Sequence, residues 1–151
     1  MRIALFQPDI PQNTGNILRL GACLGIEIDI IEPTGFLFDD KKFKRSSMDY
    51  IKYVRYRKHL DWEEFHNWSF KKKYRLILVT TKTKNNFINY KFQPNDILLF
   101  GRESAGVPDF VHNSVNNKIT IPMVKGLRSI NLSSSVAIIL SEACRQLNIF
   151  E

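Results

Sequence analysis

The sequence predicts an α/β fold built on a mostly parallel sheet flanked by helices. Three observations point there. Short apolar runs alternate with helical patterns along the whole chain. Those runs are apolar on both faces, as strands are when helices cover a parallel sheet on two sides. Polar or glycine-bearing segments follow three of them, where open α/β sheets gather ligands.

The elements follow in order. "RIALFQ" (2–7), bounded by Pro8 and Pro11, reads as a buried strand. Asn13 or Thr14 can cap the next helix, and Gly25 can end it. Within that helix Ile17, Leu20, Gly21 and Leu24 form one packing face, widened by Leu18 and Ala22, while Asn16, Arg19 and Cys23 make the remaining stripe. "IEIDII" (26–31) is the second strand, closed by Pro33. Residues 39–53 are expected as short helical pieces. "DWEEFHNW" (61–68) opens with Asp61 as an N-cap and places acids in the first turn, which favours a helix. "RLILVTT" (75–81) and "DILLFG" (96–101) are strands, and "KITIPM" (118–123) is the last one. "SSSVAIILSEACRQL" (133–147) is the most helical segment. Val136, Ile139, Leu140, Ala143 and Leu147 share one face. Ile138 adds apolar surface on another, which suits contact with a second subunit.

A length of 151 residues suggests one domain, 1–151, and a 44% hydrophobic fraction supports a packed core. No apolar run approaches the roughly 20 residues of a membrane span. No secretory leader pattern is present. The expectation is a soluble, cytoplasmic protein. Cys23 and Cys144 are expected as buried free thiols. His59, His66 and His112 show no metal-ligand spacing, so no metal is expected.

The net charge is +7 and the pI about 9.5. Between Lys41 and Lys58 lie eight Lys/Arg against one acid, Asp49, with Phe43, Tyr50, Tyr53 and Tyr56 interleaved. A second cluster is Lys71, Lys72, Lys73 and Arg75. Cations for phosphates and flat rings for unstacked bases suit nucleic acid. A solvated charged face is the alternative.

The three segments after strands are "NTGNILR", "GRESAGVP" (101–108) and "PMVKGLRSINLSSS" (122–135). Taken singly, each has a structural explanation. Gly101 and Gly106 can serve turns, Ser133–Ser135 can cap the last helix, and Asn13 the first. On one sheet edge, the three would form one pocket. Neither G-x-G-x-x-G nor G-x-x-x-x-G-K-[ST] occurs, so an ordinary dinucleotide or P-loop fold is not expected.

"IPQNTGNILR", "LLFGRESAGVP" and "IPMVKGLRSINLSSSVAIILSEACRQ" resemble, in order and spacing, the three motifs of the SpoU–TrmD (SPOUT) RNA methyltransferases. The match runs from Ile3 to about Leu147. "IEPTGF" followed by "DDKKFKRSSMDY" is similar to the single-domain subgroup that methylates the ribose 2′-oxygen at the wobble nucleotide, position 34, of leucine tRNAs. The resemblance implies a C-terminal deep trefoil knot, an exception to unknotted topology. It implies S-adenosylmethionine as cofactor, S-adenosylhomocysteine as product, tRNA as partner and a homodimer joined through the first and last helices.

Carried over by position, the resemblance assigns cofactor binding to Val79, Gly101 and Ile121, the last at the end of the final strand, with Ser129 in the loop after it. Glu103 and Asn131 match motif positions near the pocket. Arg19 matches the catalytic arginine, and Asn13 is placed to orient Arg19 or the ribose. A guanidinium, protonated far above neutral pH, is a poor base. Arg19 therefore suits holding a phosphate and steadying the forming oxyanion. Some positions depart from the subgroup pattern: Arg102 stands in place of a proline, Ser134 of an asparagine, and Ser141 and Cys144 of a tyrosine and a tryptophan. The last two were expected near dimer and RNA contacts. Two other readings are a related knotted methyltransferase on another RNA site and a non-catalytic basic RNA-binding module.

Overall fold

A computed structural model describes residues 1–38, 45 and 48–150. Six strands form one all-parallel sheet: β1 (Arg2–Phe6), β2 (Glu27–Ile31), β3 (Tyr56–His59), β4 (Arg75–Val79), β5 (Asp96–Phe100) and β6 (Asn117–Ile119), in the order β3-β2-β1-β5-β4-β6. Four helices accompany them: α1 (Pro11–Leu24), α2 (Trp62–Lys71), α3 (Asp109–Ser114) and α4 (Leu132–Gln146). Two 3-10 turns, Met48–Lys52 and Phe87–Asn89, are also present.

The alternation of side chains along a strand explains the layers. Ile3, Leu5, Ile28, Ile30, Leu98 and Phe100 join one core with Ile17 and Leu18 of α1 and Val136, Ile139 and Leu140 of α4. Ala4, Phe6, Ile31, Ile97 and Leu99 face the other way, onto Phe65 of α2 and Val111 of α3. The central strands β1 and β5 are buried at every position, which is why their sequences read as unbroken apolar runs. Gly21 lets α1 lie close on the sheet; a Cβ there would come within 2.7 Å of Ile28 Cδ1.

Several expectations change. β3, with sequence YRKH, was not foreseen as a strand. It is an edge strand, exposed at three of four positions, where Arg57 lies over the Trp68 ring and Lys58 over Phe38, and its charges hide the strand pattern. α3 was also not foreseen. β4 stops at Val79 and β6 at Ile119, because the two pair only through that register. Ile121 therefore lies in the loop beyond the last strand, not at its end. α1 begins at Pro11, so Asn13 and Thr14 sit buried inside its first turn and do not cap it. Asp61 caps α2 as expected, accepting from Glu64 N at 2.8 Å, and Gly25 ends α1 in the left-handed conformation at φ 66°. Asn131, not the serines, caps α4 by accepting from Ser134 N. Cys144 is buried but Cys23 is exposed, as its helix stripe requires. The burial of Cys144 also removes it from any RNA-facing surface and pushes its thiol pKa up. Of the helical pieces expected over 39–53, Met48–Lys52 forms a 3-10 turn, and 39–44 and 46–47 lie outside the described residues. Lys41, Lys42, Phe43 and Lys44 are among the latter.

Candidate active site

The carboxyl ends of β4, β5 and β6 and the first turn of α1 surround a cavity of about 420 Å³. That is within the usual range for small-molecule sites. Val79 closes β4 at its wall, and Gly101 follows β5 directly. Ile121, Ser129 and Asn131 reach it from the long loop between β6 and α4, and Glu103 and Asn13 from the opposite side. Seven of the eight residues singled out in the sequence thus line one space. Arg19 does not.

The β5–α3 loop is folded tightly on itself. Arg102 N donates to Gly106 O at 3.0 Å and Gly106 N to Arg102 O at 2.8 Å. A Cβ on Gly101 would lie 2.5 Å from the Gly106 carbonyl carbon, and Gly106 has φ 67°. The two glycines are required together: one for close backbone approach, the other for a left-handed turn. The result is a cradle of bare backbone facing the cavity.

A chain of hydrogen bonds joins the three motifs. Glu103 accepts from Asp9 N at 2.7 Å, Ile10 N at 3.3 Å and Asn13 Nδ2 at 3.1 Å. Its carboxylate thereby sits at the amino end of α1, where negative charge is favoured. Asn13 Oδ1 accepts from Asn131 Nδ2 at 3.0 Å. Asn131 Oδ1 accepts from Ser133 Oγ at 2.8 Å and Ser134 N at 3.2 Å, at the start of α4. Asn13 is only 5% exposed and its amide is engaged on both sides. It ties the loops of the three motifs together.

A second clamp escaped the sequence reading. Asp9 accepts from Arg102 Nε at 3.2 Å and Ser104 N at 3.1 Å, and the Ser104 hydroxyl donates to it as well. The Arg102 hydrogen bond, chiefly, holds the Asp9 carboxyl down at about 2. The signal was legible in principle: an acid between Pro8 and Pro11, and an arginine where a proline was expected, at adjacent strand ends. His112, on α3, also borders the cavity and was not foreseen there.

Arg19 is exposed on the outer stripe of α1 with Asn16 and Cys23. Its guanidinium lies 4.9 Å from the Tyr50 ring centroid. Six helical positions separate it from Asn13, about 9 Å along the axis and about 120° around it. Arg19 therefore stands away from the cavity wall, on the outer side of α1.

Comparison with known proteins places this architecture. The model of the SpoU rRNA Methylase family matches residues 1–141. A tRNA (cytidine(34)-2′-O)-methyltransferase of Beijerinckia indica is 46% identical over 144 residues, 95% of this chain and 90% of that one. The same name belongs to an Escherichia coli K12 protein 40% identical over 149 residues, 97% of this chain and 94% of that one. A solved structure described as "Structural insights into the 2-OH methylation of C/U34 on tRNA" superposes with a TM-score of 0.92 at 35% identity, covering 97% and 95% of the two chains. The fold also matches the AdoMet-bound SpoU methyltransferase AviRb from Streptomyces viridochromogenes, with a TM-score of 0.90 at 22% identity over 98% of this chain and 60% of that one.

Proposed function

The chain belongs to the SpoU methylase family, and from this premise we propose that it is a tRNA ribose 2′-O-methyltransferase acting at position 34, on cytidine or a modified uridine of leucine tRNAs. The observation that carries the reading is the Glu103–Asn13–Asn131 chain, which binds the ends of three separate segments around one cavity. The similarity to enzymes named for cytidine 34 supports the target.

S-adenosylmethionine is the methyl donor in this reading. The residues present fit it: the Gly101–Gly106 cradle admits a flat ring against bare backbone, and Val79, Ile121 and Leu132 supply apolar walls. When bound, the cofactor supplies an electrophilic methyl group on a sulfonium. Gly101, Val79 and Ile121 would hold the cofactor, with Ser129 lining the same cavity. Glu103 and Asn131 fix the loops, and Asn13 fixes them to each other.

Arg19 acts on the RNA. A guanidinium is a poor base, so its part is that of a fixed cation. Its planar fork suits a phosphate oxygen next to the target ribose and the alkoxide that forms as the 2′-hydroxyl ionises. The phosphate or water beyond it takes the proton. Positioning and charge stabilisation of this kind need a rigid base, which α1 provides through its buried face.

The same reading takes residues 1–151 as one domain with a C-terminal trefoil knot, working in the cytoplasm as a homodimer. α1 and α4 pack side by side and leave Ile10 and Ile138 exposed, 41% and 38%, which supports their use as the subunit contact. Among the described residues no helix is long and apolar enough to cross a membrane.

Arg19→Ala tests the assignment. Calorimetric titration with S-adenosylmethionine should give near wild-type affinity, while tritium transfer to leucine tRNA falls by orders of magnitude. Arg19→Lys should also fail, lacking the bidentate fork. Near-normal turnover in Arg19→Ala would sink the catalytic role.

A further inference from the structure

The cavity lies at the carboxyl ends of the strands. The opposite edge of the sheet, where the strands begin, carries a separate set of cations and exposed rings. Arg55 precedes β3, and its side chain is 86% exposed. Arg57 is exposed on β3, with its guanidinium 5.1 Å from the Trp68 ring. That contact brings β3 against the end of α2, where Phe70, Lys71, Lys72 and Lys73 are all exposed. Tyr53 and Phe70 are 75% and 79% exposed.

The acids of this edge are already engaged. Asp29 is fully buried and accepts from Arg2 Nε at 2.7 Å, with His59 Nε2 2.8 Å from its other oxygen. Asp96 is fully buried and accepts from Arg75 Nε at 2.6 Å. Glu27 pairs with Arg2 and, at 3.8 Å, with Arg55. Among the described residues no carboxylate pairs with Arg57, Lys71, Lys72 or Lys73.

Local structure accounts for only one of these lysines. A cation in the last turn of α2 complements the helix dipole, and Lys71 serves that purpose. Lys73, however, has φ 58°, in the left-handed region that a helix end ordinarily gives to glycine. A lysine stands there at a conformational cost, beside a phenyl ring left in water.

We infer that this edge, formed by Arg55, Arg57, Phe70 and Lys71–Lys73, is a second RNA-binding surface that grips the tRNA away from the reacting nucleotide. The inference rests on the proposed tRNA substrate. The lysines neutralise phosphates, and Phe70 and Tyr53 offer faces to unstacked bases. Four residues of β4 separate this edge from the cavity, about 13 Å. The surface therefore adds affinity for a long RNA and takes no part in methyl transfer.

The test uses the full-length chain with Lys71, Lys72 and Lys73 all changed to Gln, and separately Phe70→Ala. Every replaced side chain is exposed, so melting temperatures should stay within about 2 °C of wild type. Binding of a labelled leucine tRNA transcript is followed by anisotropy across a salt series. The triple variant should bind roughly tenfold more weakly near 0.1 M salt, and its log–log salt slope should fall by about two. Its kcat at saturating tRNA and its affinity for S-adenosylmethionine should be unchanged. A 4-thiouridine-substituted tRNA should crosslink to the peptide that contains Phe70, and Phe70→Ala should abolish the crosslink. Wild-type affinity and slope in the triple variant, with a wild-type enzyme that methylates the tRNA, would overturn the surface and leave the enzyme assignment standing. A wild-type chain that neither binds nor methylates tRNA overturns both. Loss of kcat without loss of affinity would also overturn it, since the edge would then act on chemistry.

Discussion

Asn13→Asp is the sharpest probe of the loop network, because it changes one atom's worth of chemistry and no volume. In the native chain Asn13 Nδ2 donates to Glu103 at 3.1 Å. In the variant, a carboxylate oxygen faces the Glu103 carboxylate at that separation. Two unit charges about 4 Å apart repel by about 4 kcal/mol at an effective dielectric of about 20. Sharing a proton limits the penalty: holding an aspartate of ordinary pKa about 3.9 protonated at pH 7.5 costs about 5 kcal/mol. A loss of about 3–4 kcal/mol at pH 7.5 is expected, which lowers Tm by roughly 10 °C in a chain of this size. The sign with pH is fixed. The new carboxyl has a raised folded-state pKa, so its penalty shrinks as pH falls and the proton is taken up. Thermal unfolding followed by fluorescence from pH 7.5 to 5 should show the variant approaching wild type. An equal Tm at pH 7.5, or a deficit that stays constant across the range, would refute the geometry argued for Glu103 and Asn13.

Other expectations follow from the same site. Gly101→Ala should lose the cofactor-induced rise in Tm, because its Cβ falls 2.5 Å from backbone that has no room to move; a normal ligand shift would contradict the cradle. Asp9→Asn should cost the fold stability near neutral pH and nothing in strong acid. Asp9 is depressed to about 2, so its contribution is present above pH about 4 and is lost as pH falls toward 2; wild type and variant should differ at pH 6 and converge in that window, by circular dichroism. Tyr50→Leu should lower kcat for methyl transfer several-fold with cofactor affinity intact, while Tyr50→Phe keeps activity, since a phenyl ring also holds a guanidinium. In an Arg19→Ala background, Tyr50→Leu should cost nothing more.

The sheet was legible because its central strands bury both faces, which leaves unbroken apolar runs such as "RIALF" and "DILLF". β3 was not, because an edge strand takes its conformation from β2 and carries Arg57 and Lys58 outward. The outer stripe of Asn16, Arg19 and Cys23 was readable from helical spacing alone, yet Cys23 was still misjudged, because cysteine's usual burial was weighed above its position. The cavity was anticipated as three loops at one edge, and all the named residues except Arg19 meet there. What joins them was hidden: Glu103, Asn13 and Asn131 lie 90 and 118 positions apart, and no local pattern reveals which polar side chain answers which. The Asp9–Arg102 clamp spans 93 positions and was missed for the same reason.

Those long separations bear on how the protein comes into being on the ribosome. Asn131 is made 118 residues after Asn13, so the Asn13 amide must wait for that whole stretch before both its partners exist. Contacts between such distant positions close late and slowly. A nascent chain can assemble β1, α1 and β2 well before then and still have no cavity. Ligand-binding capacity therefore waits until Asn131 has been made, and a truncated product ending before residue 131 should be catalytically silent however much of its sheet it retains.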